Sequence, residues 1–119
     1  MKNLKILAVV NPTTNTQAFS DLVRSFDDAN LRIETDIEKA IDATNQKNYD
    51  LLVLDRALLE ADFKKLNRLA ELIHPDAAIF QLNFNDEEFI RFKMSGLFAK
   101  WQEAQSDSQT NFIDGMSSL

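Results

Sequence analysis

The chain has 119 residues, of which 45% are apolar, with nine Phe but only two Gly and two Pro; this is the composition of about one globular domain, not of a disordered, collagen-like or low-complexity chain. Without cysteine and with a single histidine, it has no disulfide, no thiolate metal site, no Cys nucleophile, no His-rich zinc site and at most one imidazole base. Thirteen basic against nineteen acidic side chains give a net charge of −6, which repels a phosphate-coated partner and makes nucleic acid a poor expectation.

Lys2 and Lys5 precede the apolar run Ile6 to Val10, which Asn11-Pro12 closes. The run is too short for a signal-peptide core or a bilayer span. It predicts a buried first strand in a cytoplasmic protein with no membrane attachment. Asn11 to Asn15 supply turn and cap residues, and Phe19, Leu22, Val23 and Phe26 then recur at helical spacing. Leu31 to Thr35 predicts a short strand with Leu31 and Ile33 on one face. Asp36 is placed to cap a helix whose buried stripe is Ile37, Ala40, Ile41 and Ala43-Thr44.

Tyr49-Asp50-Leu51-Leu52-Val53-Leu54-Asp55 is the clearest segment, an aliphatic run between acidic residues, as a central parallel strand ending in a carboxylate would be. Leu58, Leu59, Phe63, Leu66, Leu69, Ala70 and Ile73 predict an amphipathic helix stopped at His74-Pro75. There His74 would meet the dipole of its own helix. Ala77 to Leu82 predicts a fourth strand. Strands alternating with helices over short connections predict an α/β fold with a doubly wound parallel sheet of four or five strands.

The last third reads two ways. In one, Asp86 to Lys93 is a short helix, Ser95-Gly96 a turn and Leu97-Phe98-Ala99-Lys100 a fifth strand. In the other, Ile90, Met94, Leu97, Phe98, Trp101 and Ala104 line one face of a single helix from Asp86 to about Gln105. Phe80, Phe84, Phe89 and Phe98 are expected mostly in the core, whereas Phe92 falls off the apolar stripe, between Arg91 and Lys93, and is expected to be exposed. Residues 1–105 form the predicted domain. Residues 106–119 form a C-terminal helix or tail in which Phe112, Ile113, Met116 and Leu119 would share a face.

In parallel α/β sheets ligands bind beyond the carboxyl ends of the strands. The residues ending the strands are Asn11, Thr35-Asp36, Asp55, Asn83 and, with a fifth strand, Lys100, and of these Asn11, Asp55, Asn83 and Lys100 are the candidates for such a pocket. The order of elements, the opening Lys-Ile-Leu-Ala-Val-Val, Tyr-Asp-Leu-Leu-Val-Leu-Asp ending at Asp55, and Ser95-Gly96-Leu97-Phe98-Ala99-Lys100 resemble the receiver domain of bacterial response regulators in two-component signalling. The resemblance runs over about residues 4 to 101. It implies a flavodoxin-like three-layer sandwich, Asp55 as phosphoacceptor, and Lys100 as the lysine that contacts the phosphoryl group.

The chain departs from that pattern. Where receivers carry the acidic pair that binds Mg²⁺, this sequence has Asn11-Pro12, and a hard cation needs anionic oxygens. Asn83, or Leu82 if the register slips, replaces the hydroxyl residue after the fourth strand, and Leu97 and Trp101 replace the switch aromatic and the proline. The expectation is therefore an atypical stand-alone receiver-like signalling or adaptor protein. It would be neither an enzyme nor a cofactor binder, and would act by binding another protein or itself without Mg²⁺-dependent aspartyl phosphorylation. Its contact residues would be Phe92, Trp101, Phe112 and Met116. The alternatives are a phosphorylatable single-domain response regulator using Asp55, and a small ligand-binding α/β domain.

Overall fold

In the computed structural model the described residues are 3–117, with side chains described as far as residue 104. The elements alternate: β1 (Leu4–Val9), α1 (Gln17–Arg24), β2 (Ala29–Glu34), α2 (Ile37–Gln46), β3 (Leu51–Asp55), α3 (Glu60–Ile73), β4 (Ala78–Leu82) and α4 (Glu87–Ser117). All strand pairs are parallel and the order is β2-β1-β3-β4. The architecture is the expected α/β fold, one four-stranded parallel sheet between two helical layers in a flavodoxin-like arrangement.

Side-chain alternation along the strands builds two cores. Ile6, Ala8, Leu51 and Val53 point to one face, where α1 contributes Phe19 and Val23 and α4 contributes Ile90, Met94 and Phe98. Leu7, Val9, Leu52 and Leu54 point to the other, where α2 contributes Ala40 and Ala43 and α3 contributes Leu66 and Ala70. Every residue of β3 is buried, which is why its sequence is continuously apolar instead of alternating. Asp36 caps α2 as expected, its Oδ1 accepting from the N–H groups of Glu38 (2.8 Å) and Lys39 (3.3 Å).

Four points depart from or decide between the readings above, the first being a choice between the two parses of the last third. The fifth strand does not form: the backbone from Glu87 to Ser117 is one helix, continuous through the 105/106 boundary. Its inward face explains this. Ile90, Met94 and Phe98 are buried, Phe98 stacks on Phe26 with centroids 4.0 Å apart, and Trp101 packs at the edge of the same core. Gly96 lies on the outer side, where an added Cβ would meet no atom within 4 Å beyond the adjoining backbone of its own helix. Its helix penalty of about 1 kcal/mol is outweighed by burial of three large side chains at about 1.5–3 kcal/mol each.

His74 is the second correction. It is buried, and its Nε2 lies 2.7 Å from the carbonyl oxygen of Thr44, in the last turn of α2. It therefore satisfies an orphan carbonyl of a different helix. The third concerns the phenylalanines: Phe84 and Phe98 are core, but Phe89 is 43% exposed and Phe80 is only half-buried. Leu59, assigned to the buried stripe of the third helix, lies just before α3 and is exposed, as is Leu72.

The sheet has two unlike edges. β2 carries Arg32 and Glu34, whereas β4 reads Ala-Ile-Phe-Gln-Leu, with no charge, and pairs only with β3 among the described residues. Lys93 reaches from α4 over the Phe80 ring, 5.6 Å from its centroid. No helix among the described residues is long and apolar enough to cross a membrane.

Two substitutions test α4 by urea denaturation. Gly96→Ala is expected to stabilise the protein by about 0.5–1 kcal/mol, because residue 96 is helical and unobstructed; destabilisation would mean a turn at that position. Phe98→Ala is expected to cost about 3–5 kcal/mol.

Candidate functional site

β1 and β3 lie side by side, with Val9 registered against Leu54, so both chains leave the sheet at the same edge. From there the connection after β1 leads outward to β2 and the connection after β3 leads the opposite way to β4. Such a reversal of direction is where a doubly wound sheet usually opens a ligand crevice. Asp55 stands at that point, as its sequence position suggests, and is 2% exposed.

Local bonds fill the crevice. Asp55 Oδ2 accepts from the Asn11 backbone N–H (2.9 Å) and the Thr14 hydroxyl (2.5 Å), and Oδ1 accepts from the Ala57 N–H (2.9 Å). Three donors to one buried carboxylate are the arrangement that makes a buried charge tolerable. Asn11 in turn uses its own Oδ1 to accept from the backbone N–H of Thr13 (3.0 Å) and its hydroxyl (2.8 Å), and its carbonyl accepts from Thr14 N–H. The adjacent Arg56 N–H donates to the Leu82 carbonyl, tying the end of β3 to the end of β4.

The other sequence candidates are dispersed. Asn83 is exposed, and its side-chain oxygen accepts from Asn85 N–H (3.0 Å) within the turn that starts α4. Lys100 is a correction: with no fifth strand it is an exposed residue of α4. The helix leaves the Asp55 edge and carries Lys100 about 20 Å along its axis from Glu87, to the end where Phe98 meets Phe26. Asn11 and Asp55 therefore meet, while Asn83 and Lys100 join no common pocket with them. Thr14 was missed by sequence reasoning. Its only sequence signal is a hydroxyl three residues beyond the Asn11 that follows β1.

Three of the roughly four lone-pair positions of this carboxylate accept hydrogen bonds from its own loops, and the side chain is almost wholly buried. Among the described residues no group of three or more carboxylate or imidazole side chains could hold a metal ion.

The expected contact residues also divide. Phe92 is 77% exposed, with Phe89 beside it on the outer side of α4. Trp101 is half-buried, tilted against Phe98 at 5.7 Å. Phe112 and Met116 lie in the helical backbone of α4, but their side chains fall outside the described residues. Glu87 and Arg91 border both the Phe92 patch and an open cleft of about 890 Å³ between α1 and α4. No family model matches the chain, and no curated protein matches it.

If the bonds to Asp55 fasten the loops, Asp55→Ala costs about 3 kcal/mol, because charge-assisted acceptors are lost and three donors are stranded. Thr14→Val removes one of the donors and costs about 1 kcal/mol. Chemical denaturation measures both; a neutral Asp55→Ala would show that the carboxylate holds nothing.

Proposed function

We propose that the chain is a receiver-like protein-binding module, a signalling or adaptor protein of the cytoplasm that acts by contact with another protein and not by aspartyl phosphorylation. One contrast carries the reading. The carboxylate in the phosphoacceptor position is 2% exposed with both oxygens engaged, whereas Phe92 on the outer side of α4 is 77% exposed. An aspartate held in this way serves as a clasp. A phenylalanine left in water beside a second one has no role in the fold, and clustered aromatics are the anchors protein interfaces favour.

The parallel order β2-β1-β3-β4 with Asp55 ending β3 supports receiver-like ancestry, and Asn11-Pro12 in place of the acidic pair supports loss of the switch. Phosphoryl transfer relies on metal and cationic groups to neutralise charge on the equatorial oxygens. Here Lys100 is in the exposed body of α4, and neutral Asn11 is the residue beside Asp55.

Two measurements test the reading. With Mg²⁺ and beryllium fluoride as phosphoryl mimic, the amide resonances of residues 11–14 and 54–58 are expected to stay in place; shifts that vanish in Asp55→Asn would overturn the phosphorylation-independent part. A photo-reactive residue at position 92 is expected to cross-link one discrete protein species in cells, and Phe89→Glu to abolish the product. Absence of any product at 92 would overturn the protein-binding part.

A further inference from the structure

The sheet end opposite Asp55 holds a second cleft, of about 560 Å³, lined by Lys5 of β1, Asn30 and Arg32 of β2, and Lys47, Asn48 and Tyr49 of the α2–β3 connection. The register explains the convergence. Lys5 pairs with Asn30 and Leu7 with Arg32, so alternation turns Lys5, Asn30 and Arg32 to the same face of the sheet. The chain then passes below the end of α2 with Lys47 and Asn48. Three cations from three separate elements thus border one opening in a protein whose net charge is −6.

Tyr49 supplies the second observation. Its side chain is 8% exposed, with its ring edge-on to His74, and its hydroxyl is buried without a hydrogen-bond partner among the described residues. Buried hydroxyls are nearly always bonded, and one that is not asks for an explanation. The Arg32 guanidinium faces it. The Arg32 pKa is raised above its ordinary value, first by its bond to Glu34 and next by the neighbouring Tyr49 hydroxyl. Two carboxylates lie nearby, and both are engaged. Glu34 Oε2 accepts from Arg32 Nη2 at 3.3 Å, and Asp50 Oδ2 accepts from the Lys5 backbone N–H at 2.9 Å. Among the described residues the two ammonium groups and the amides of Asn30 and Asn48 make no hydrogen bond, and the Tyr49 hydroxyl has the Arg32 guanidinium beside it without a bond of good geometry.

We propose that this cleft is an anion site for a phosphoryl group, with the Tyr49 hydroxyl and Arg32 guanidinium donating to its oxygens, Lys5 and Lys47 supplying charge, and Asn30 and Asn48 the outer donors. Several donors approaching from different directions suit an oxyanion with three or more acceptor oxygens better than a planar carboxylate. The site is independent of the protein-binding reading, because it lies at the other end of the sheet from Asp55 and shares no residue with the Phe92 patch.

The test is a titration of the ¹⁵N-labelled full chain with inorganic phosphate, against chloride at equal ionic strength. Saturable shifts are expected at residues 5, 30–32 and 47–50 and nowhere near Asp55. Arg32→Gln is expected to weaken binding at least ten-fold. Tyr49→Phe, which removes only the unpartnered hydroxyl and keeps the ring, is expected to weaken it several-fold while the rest of the spectrum is preserved. Shifts that chloride reproduces, that fail to saturate, or that survive Tyr49→Phe unchanged would overturn the site. A nucleoside monophosphate in place of phosphate distinguishes the source: tighter binding assigns the phosphoryl group to a larger ligand, and equal or weaker binding assigns free phosphate.

Discussion

The Asp55 carboxylate collects the Asn11 N–H, the Thr14 hydroxyl and the Ala57 N–H in one place, and the arrangement of the sheet's working edge depends on that collection. Two central strands of a parallel sheet end side by side there, and each connection has backbone donors that would otherwise be stranded above an apolar core. One carboxylate satisfies donors from both connections. Burying its charge is costly in itself, and three hydrogen-bond donors, one of them a hydroxyl, offset the cost. The outcome is a rigid edge in the place where this topology most often stays open for a ligand.

α4 governs which of its own aromatic side chains reach solvent. A fifth strand would have covered β4 and carried Lys100 to the Asp55 edge. The long helix instead crosses the sheet on the α1 side, burying Ile90, Met94 and Phe98, and leaves Phe89 and Phe92 in solvent. The segment is helical because Phe98 stacks on Phe26, which lies between α1 and β2, far from it in sequence. The same packing strips the lysine of any part in the chemistry that the resemblance assigns to it.

The sequence was most legible where a decision is local. Four aliphatic residues in a row mark β3, and a single aspartate at the right offset marks the start of α2. Leu97-Phe98-Ala99-Lys100 was not legible, because its pattern suits either structure and a contact some seventy residues back decides between them. His74 misled for a related reason. Its neighbours point to the end of α3, but its ring partner is the Thr44 carbonyl, 30 residues earlier. At the site, the central place of Asp55 followed from strand order. Its bonds to Asn11 and Thr14 did not, because they arise only when β1 and β3 pair in one particular register. The basic cleft escaped notice because Lys5, Arg32 and Lys47 are each unremarkable in their own segments.

The uncharged outer strand also bears on how the protein behaves in bulk. β4 offers a free hydrogen-bonding rim to any extended chain, including that of a neighbouring molecule, and nothing in its five residues resists such pairing. Mutual repulsion of a particle with net charge −6 opposes such pairing between copies at neutral pH, and the Lys93 side chain lies across Phe80. Repulsion of that kind vanishes near the isoelectric point of about 4.7. Acidification to that point removes the electrostatic penalty on pairing at the bare strand.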